Sequence, residues 1–393
     1  MLFRKVRYYI FLRDVLILAV TAFGGPQAHI AMFLDLLVKK RGYLSEEDLI
    51  ELNALCNILP GPTSTQTITA VGFKIGGPNL AYLTLLIWMT PAVTIMTIAA
   101  ITISNLQEQN ISIEFTRYIQ PMAVGFVAFA GFKIARKVIH SKLGFGLMCT
   151  SALISLFFGS PYVFPIVLVA GGLITSLNYK SHAIEAKDKI NIQWANFILW
   201  GSVFILAAVL GGLTKALPVR LFENFYRNGS LIFGGGQVLI PFLYTEFVEF
   251  KQYLTSEEFL SGYALMQSLP GPVFSFCAYV GSLSMREYGV GGEIIGAISA
   301  ALGIFLPGAF LIFFVIRFWD SLKKFRRVKA SLEGINAVSS GMVIAAAIIM
   351  FMPLEPSYIN FGITLGTFLV LTFTKIPSPL IIVAGLLGGI LIS

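Results

Sequence analysis

Pro60-Gly61-Pro62 is followed by Thr63-Ser64-Thr65-Gln66, three hydroxyls and an amide in consecutive positions after a helix-breaking turn. A helix that restarts after such a break offers unpaired backbone N–H groups and the positive end of its dipole. Such ends hold anions through donors rather than through a full counter-charge. The side chains add donors at the same place, so the chemistry on offer is oxyanion binding. Phe23-Gly24-Gly25-Pro26-Gln27 has the same character, with His29 two positions beyond Gln27. Thr63, Ser64 and Thr65 are also ordinary N-cap residues taken singly, and His29 has a second reading as a hydrogen-bonded interior histidine.

Both motifs return. Phe233-Gly234-Gly235-Gly236-Gln237 lies 210 residues after the first (233 − 23), and Leu269-Pro270-Gly271-Pro272 lies 210 after Leu59-Pro60-Gly61-Pro62 (269 − 59). Tyr43-Leu44 matches Tyr253-Leu254 and Asn57 matches Gln267 in the same register. Two motifs held at one offset make the chain two homologous halves. The second half is poorer in donors, offering Gln237 and then Ser275 within Val273-Phe274-Ser275-Phe276. The candidate substrate site therefore comprises Gly24, Gly25, Gln27, His29, Asn57, Gly61, Thr63, Ser64, Thr65 and Gln66 from one half. From the other come Gly235, Gly236, Gln237, Gln267, Gly271 and Ser275, so the halves contribute unequally.

Positioning such a site is work for a membrane protein. Hydrophobic residues make up 56% of the 393-residue chain and charged residues 12%, with a mean hydropathy of +0.81, whereas soluble domains carry about 25% charge. The net charge of +8 resides in short loops between apolar runs, which is a topological signal and not a nucleic-acid footprint. Cys56, Cys149 and Cys277 read as buried apolar residues, and His29, His140 and His182 are too scattered for a zinc site. No metal or cofactor is expected. The basic start, Met1 to Arg13, superficially resembles a signal peptide, but the segment it leads into recurs deep in the chain, so cleavage is not expected.

Apolar segments lie near 8–38, 48–74, 79–104, 118–138, 143–158 and 161–177, with counterparts near 218–248, 258–282, 291–317, 334–353, 358–374 and 377–392. One more, about 195–217, has no counterpart. The expected division is an N-terminal repeat over 1–178, a linker with the unpaired helix over 179–217, and a C-terminal repeat over 218–393. An odd number of crossings between like units inverts the second. Loop charges agree: Asn105 to Thr116 holds Glu108 and Glu114 without Lys or Arg, while the matching loop holds Lys323, Lys324, Arg326, Arg327 and Lys329. After the next segment the bias reverses, with Lys133, Arg136, Lys137 and Lys142 against Pro353-Leu354-Glu355-Pro356. The expected fold is thus an all-α integral membrane protein of two inverted-topology repeats, N-terminus cytoplasmic and C-terminus external.

Segments 8–38 and 48–74 are each broken in the middle by glycine and proline. A 31-residue helix would run about 46 Å, beyond a hydrocarbon core of about 30 Å. Lys39, Lys40 and Arg41 favour a cytoplasmic loop between them. Both segments are therefore expected to re-enter as helical hairpins with tips near the bilayer midplane. The mirrored loop, with Glu246, Glu249, Glu257 and Glu258, would lie outside.

Phe23 to Ile30, Leu55 to Gln66, Phe233 to Gly236 and Leu269 to Pro272 together resemble the signatures of the chromate ion transporter family in its two-domain, long-chain form. The resemblance spans both halves and preserves order and register. It implies export of chromate across the cell (inner) membrane on the proton-motive force, conferring chromate resistance. Residues and spacing alone reach an oxyanion transporter, with sulfate or another oxyanion as alternative substrate. A passive anion channel is the second reading, and a membrane-embedded enzyme the third. Against an enzyme, the chain carries no HExxH, no P-loop lysine motif and no cluster of His with carboxylates. The expected partners are a chromate- or sulfate-like oxyanion and the lipid bilayer, without nucleic acid; homodimer formation is left open.

Overall fold

A computed structural model describes residues 2–109, 114–177, 193–233, 235–319 and 325–392. Gly234, His182, Lys323 and Lys324, with stretches 110–113 and 178–192 of the expected loop and linker, lie outside the described residues. Among the described residues the fold is all-helical, without strands. Among those residues five helices are long and apolar enough to cross a membrane. The chain divides into two compact units.

The first unit takes Met1–Glu108, Gln193–Gly235 and Met266–Arg317. Its helices are α1 (Leu2–Thr21), α2 (Gly25–Phe33), α3 (Glu46–Ile58), α4 (Thr63–Glu108), α8 (Ala195–Thr214), α9 (Leu217–Leu231), α12 (Phe276–Leu283) and α13 (Gly289–Val315). The second unit takes Gln109–Ile192, Gly236–Leu265 and Phe318–Ser393. It holds α5 (Ile119–Val138), α6 (Lys142–Phe157), α7 (Val163–Leu177), α10 (Gly236–Leu243), α14 (Arg326–Phe351), α15 (Tyr358–Phe373) and α16 (Ser378–Ile392). Most of α11 (Ser256–Gln267) belongs to it as well.

Glycine sets the closest helix approaches. In the first unit, a Cβ on Gly281 of α12 or Gly296 of α13 would collide with the other's carbonyl. In the second, a Cβ on Gly334 of α14 would collide with the Gly171 carbonyl of α7, and one on Gly171 would collide with Val338 Cγ2 of α14. Small residues let backbones meet where lipid supplies no hydrophobic drive for association. Outward faces are apolar instead of polar. The 20-residue α8 spans about 30 Å at about 1.5 Å per residue, and Ile198, Ile205, Leu206, Val209 and Leu213 along it are exposed. That surface suits hydrocarbon.

The expected boundary between the 48–74 and 79–104 segments falls inside α4, at Gly77. At φ +77 and ψ −167 this residue leaves the helical region, divides α4 into two helical arms and folds the chain back. A Cβ on Gly72 would meet the Ala81 Cα at 3.2 Å. A straight helix would hold those residues about 13 Å apart.

Candidate functional site

Residues 2–76 form two antiparallel hairpins, and the contacts along their arms say so. Asp14 of α1 accepts from Arg41 at both oxygens, Nη2 to Oδ1 at 2.9 Å and Nε to Oδ2 at 2.8 Å. Tyr43 Oη donates to Asp14 Oδ2 at 2.8 Å, and the Tyr43 ring packs edge-on against Phe11. The carboxylate is fully buried, so its charge needs all three donors. Burial, followed by the hydrogen bond to Asp14, pushes the Tyr43 phenol up to about 12. The second hairpin closes the same way: Lys74 of α4 pairs with Asp48 at 2.5 Å, and further in Thr67 Oγ1 approaches Asn53 Oδ1 at 3.5 Å. Ser45 caps α3 through a reciprocal box with Asp48. Charged groups therefore mark the hairpin bases, and the glycine–proline motifs lie at the tips.

Each tip turns on a residue only glycine tolerates. Gly24 has φ +90, Gly25 +76 and Gly61 +116; the matching Gly235 and Gly271 have φ +93 and +101. The tips also exchange backbone hydrogen bonds. Gly61 N–H donates to the Ile232 carbonyl at 2.7 Å, and Gly271 N–H donates to the Ala22 carbonyl at 2.8 Å. Shifting Gly61 and Ala22 by 210 gives Gly271 and Ile232, so these are one bond made twice. Each half's Pro-Gly-Pro turn leans on the other half's glycine motif, and a buried amide left without such a partner would cost about 1–3 kcal/mol.

Side chains converge most densely at the start of α4. Thr63, Ser64, Thr65 and Gln66 are all buried. His29, 1% exposed, places Nδ1 3.0 Å from Ser64 Oγ and Nε2 3.2 Å from the Ala22 carbonyl. Trp88 Nε1 donates to Thr65 Oγ1 at 3.1 Å, and its ring meets His29 edge-on. Gln66 Nε2 donates to the Pro60 carbonyl at 2.6 Å between Gly61 and Gly308, while its buried Oε1 has no partner among the described residues. The amides of Thr63, Ser64 and Thr65 open α4, where no preceding turn supplies acceptors.

Gly24, Gly25, His29, Gly61, Thr63, Ser64, Thr65, Gln66, Gly235 and Gly271 thus lie at or beside one set of tips in the first unit. Ser275 is there too, fully buried, but its hydroxyl donates back to the Pro272 carbonyl at 2.6 Å. Its helix restarts through a 3-10 turn, Val273–Ser275, before α12. Gln27 is exposed, and so is Asn57, which donates to the Asn53 carbonyl within α3. Gln267, at the end of α11, is half-buried. Gly236 and Gln237 belong to the second unit and open α10.

Sequence reasoning missed Trp88, which reaches Thr65 only because α4 folds back at Gly77. It missed Gly308, whose lack of a Cβ leaves room for Gln66. It also missed the Ala22 and Ile232 carbonyls, which no side-chain pattern reveals. A polar cavity of about 330 Å³ in the second unit is a poorer place for an anion, since Glu114, Glu257 and Glu355 line it against Arg117.

Comparison with known proteins gives a consistent match. The family described as "Chromate transporter" matches residues 10–176 and 219–390. An uncharacterized transporter of Methanocaldococcus jannaschii is 27% identical, over 95% of this chain and 92% of its own. A chromate transport protein of Pseudomonas aeruginosa is 28% identical, over 83% of this chain and 77% of its own. An uncharacterized transporter of Bacillus subtilis is 29% identical over 45% of this chain but 98% of its own, so it is the size of one half. No solved structure matches.

Proposed function

The chain belongs to the chromate transporter family, and from that premise we propose that it is a secondary active transporter exporting chromate from the cytoplasm on the proton-motive force. The oxyanion binds at the hairpin tips, where the start of α4 supplies backbone amides and the hydroxyls of Thr63, Ser64 and Thr65. The observation that carries this reading is the pair of offset-related hydrogen bonds, Gly61 to Ile232 and Gly271 to Ala22. It supports two repeats of inverted topology, 1–178 and 218–393, crossing at their tips. Hairpins with charged bases and uncharged tips suit re-entry from one membrane face, because free charge at bilayer depth is expensive and irregular backbone there needs a polar cavity. Lys39, Lys40 and Arg41 favour a cytoplasmic side for the bases of the first two.

The test is flux. Purified protein in liposomes with imposed voltage and pH gradients should move labelled chromate against its own gradient, and sulfate offered in parallel measures selectivity. Thr63→Ala, Ser64→Ala and Thr65→Ala should each lower affinity about ten- to a hundredfold if the hydroxyl bonds the charged ligand. Flux that only runs downhill and ignores both gradients would replace the transporter with a channel.

A further inference from the structure

We propose that His29 is the proton site of this transporter, and that reversal of its hydrogen bond with Ser64 makes proton and oxyanion bind together. The inference rests on the reading of the α4 start as the oxyanion site. A carbonyl oxygen only accepts, so the Ala22 contact fixes the hydrogen of the neutral ring on Nε2. Nδ1 then carries a lone pair, and the bond at 3.0 Å is Ser64 Oγ donating to the ring. The single hydroxyl hydrogen of Ser64 is spent there. What Ser64 can still present is lone pairs, the wrong polarity for an anion.

A proton delivered from water to Nδ1 reverses this bond. The imidazolium donates from both nitrogens, Ser64 Oγ becomes the acceptor, and the Ser64 hydrogen is released to donate to an anion oxygen. The site gains a donor and a positive charge in one step. Neither partner is favourable alone. A buried imidazolium without a counter-charge is costly, and so is an oxyanion set against the Ser64 lone pairs; together they offset one another.

Neighbouring charges do not take over the role. The elements packed on α2 are the π-helical turn Leu34–Lys40 and α4. On the turn, Lys40 pairs with Asp35 at 2.8 Å, and Lys39 is exposed. On α4, Lys74 pairs with Asp48, while Tyr82 and Glu108 lie beyond the Gly77 fold. Asp14 of α1 is engaged by Arg41 and Tyr43. The ring itself bonds Ala22 and Ser64. At the same offset of 210, the second half carries Leu239 and Phe274 in place of His29 and Ser64. Among the described residues this hydrogen-bonded pair therefore occurs once, and a chromate that leaves with its proton carries one net negative charge, which the membrane-potential part of the proton-motive force drives outward against the pH part.

Proton uptake on binding tests this directly. Chromate is added to the purified full chain in weakly alkaline, weakly buffered solution, where free chromate is fully ionised, and an indicator dye reports the bulk pH. The parent should take up one proton per chromate bound, and its affinity should rise about tenfold per unit fall in pH while the ring titrates. His29→Gln keeps a donor for Ala22 and an acceptor for Ser64 but cannot take the proton, so its binding should be weaker, free of proton uptake and independent of pH. Ser64→Ala keeps the ring but removes the bond that reverses, so its affinity should fall and its proton uptake should drop well below one per chromate; uptake left at one would overturn the coupling through Ser64. Parent protein that binds chromate without proton uptake overturns the inference and leaves the site reading intact, as does unchanged uptake in His29→Gln. Parent protein that binds no oxyanion removes both. Should His29→Gln not fold, the proton count of the parent alone decides.

Discussion

Gly61→Ala isolates what the tip of the second hairpin requires. At φ +116 the residue sits where an L side chain is strained, and a Cβ there would stand 2.8 Å from Gln66 Nε2 and 3.5 Å from the Gly308 Cα. Two costs add. Backbone strain is worth about 1–3 kcal/mol. Gln66 must also leave the Pro60 carbonyl, to which it donates at 2.6 Å, and a buried polar group stranded in this way costs about 1–3 kcal/mol. The expected destabilisation is about 2–6 kcal/mol. Gly25→Ala is the matched control, because φ is +76 but no atom lies within 4 Å of the added Cβ; strain alone predicts about 1–3 kcal/mol. Thermal unfolding of both variants in detergent separates strain from crowding, and equilibrium dialysis with chromate follows the site. Equal unfolding temperatures would refute the crowding argument. A folded Gly61→Ala that binds chromate like the parent would remove this turn from the site.

The other predictions concern the hairpin bases and the fold-back of α4. Cysteines introduced as Ser45→Cys and Thr255→Cys should be labelled from the cytoplasmic and external sides respectively; labelling on the swapped sides would mean full spans instead of re-entrant hairpins. Asp14→Asn should cost about 1.5–3 kcal/mol through the charged hydrogen bonds it weakens, and an unfolding midpoint matching the parent would show that the Arg41 clasp is not needed. With the Tyr43 phenol at about 12 against about 10 in the unfolded chain, the unfolded state loses its proton first. The contribution of Tyr43 should thus be full below pH about 10 and fade toward about 12, a loss that stability measurements on Tyr43→Phe should not show. Trp88→Phe keeps the aromatic contact with His29 but removes the donor to Thr65, and should cost about 0.5–1.5 kcal/mol.

Composition and periodicity made the membrane class and most helices legible. The unpaired run near 195–217 is α8, and the runs near 358–374 and 377–392 are α15 and α16. These are long apolar stretches whose ends are set by local signals. The break between the two arms of α4 was legible at Gly76-Gly77-Pro78, but the sequence there does not say that the chain folds back on itself. Only the positive φ at Gly77 and the contact of Gly72 with Ala81 decide it.

For the site, glycine and proline identified the tips because no other residue types hold those backbone angles. The partners of the tips were hidden for a physical reason. Ala22 and Ile232 act through carbonyl oxygens, which every residue has, so side-chain type carries no trace of their use. Spacing could have hinted at them: Ala22 and Ile232 each immediately precede the recurring Phe-Gly, and both are apolar. Asn57 and Gln27 fail in the opposite direction. Their amides suggested donors, but side-chain type does not fix direction; Asn57 turns back onto α3, and Gln27 is exposed at the start of α2. His29 shows what the sequence can and cannot say. Its type announces a titratable group near a break, but the direction of its bond to Ser64 follows from the Ala22 carbonyl opposite, and that acceptor exists only once the first hairpin has closed. The chemistry of the tip is therefore a property of the packed turn, with each hydroxyl counted as a donor only after its own hydrogen bond has been assigned.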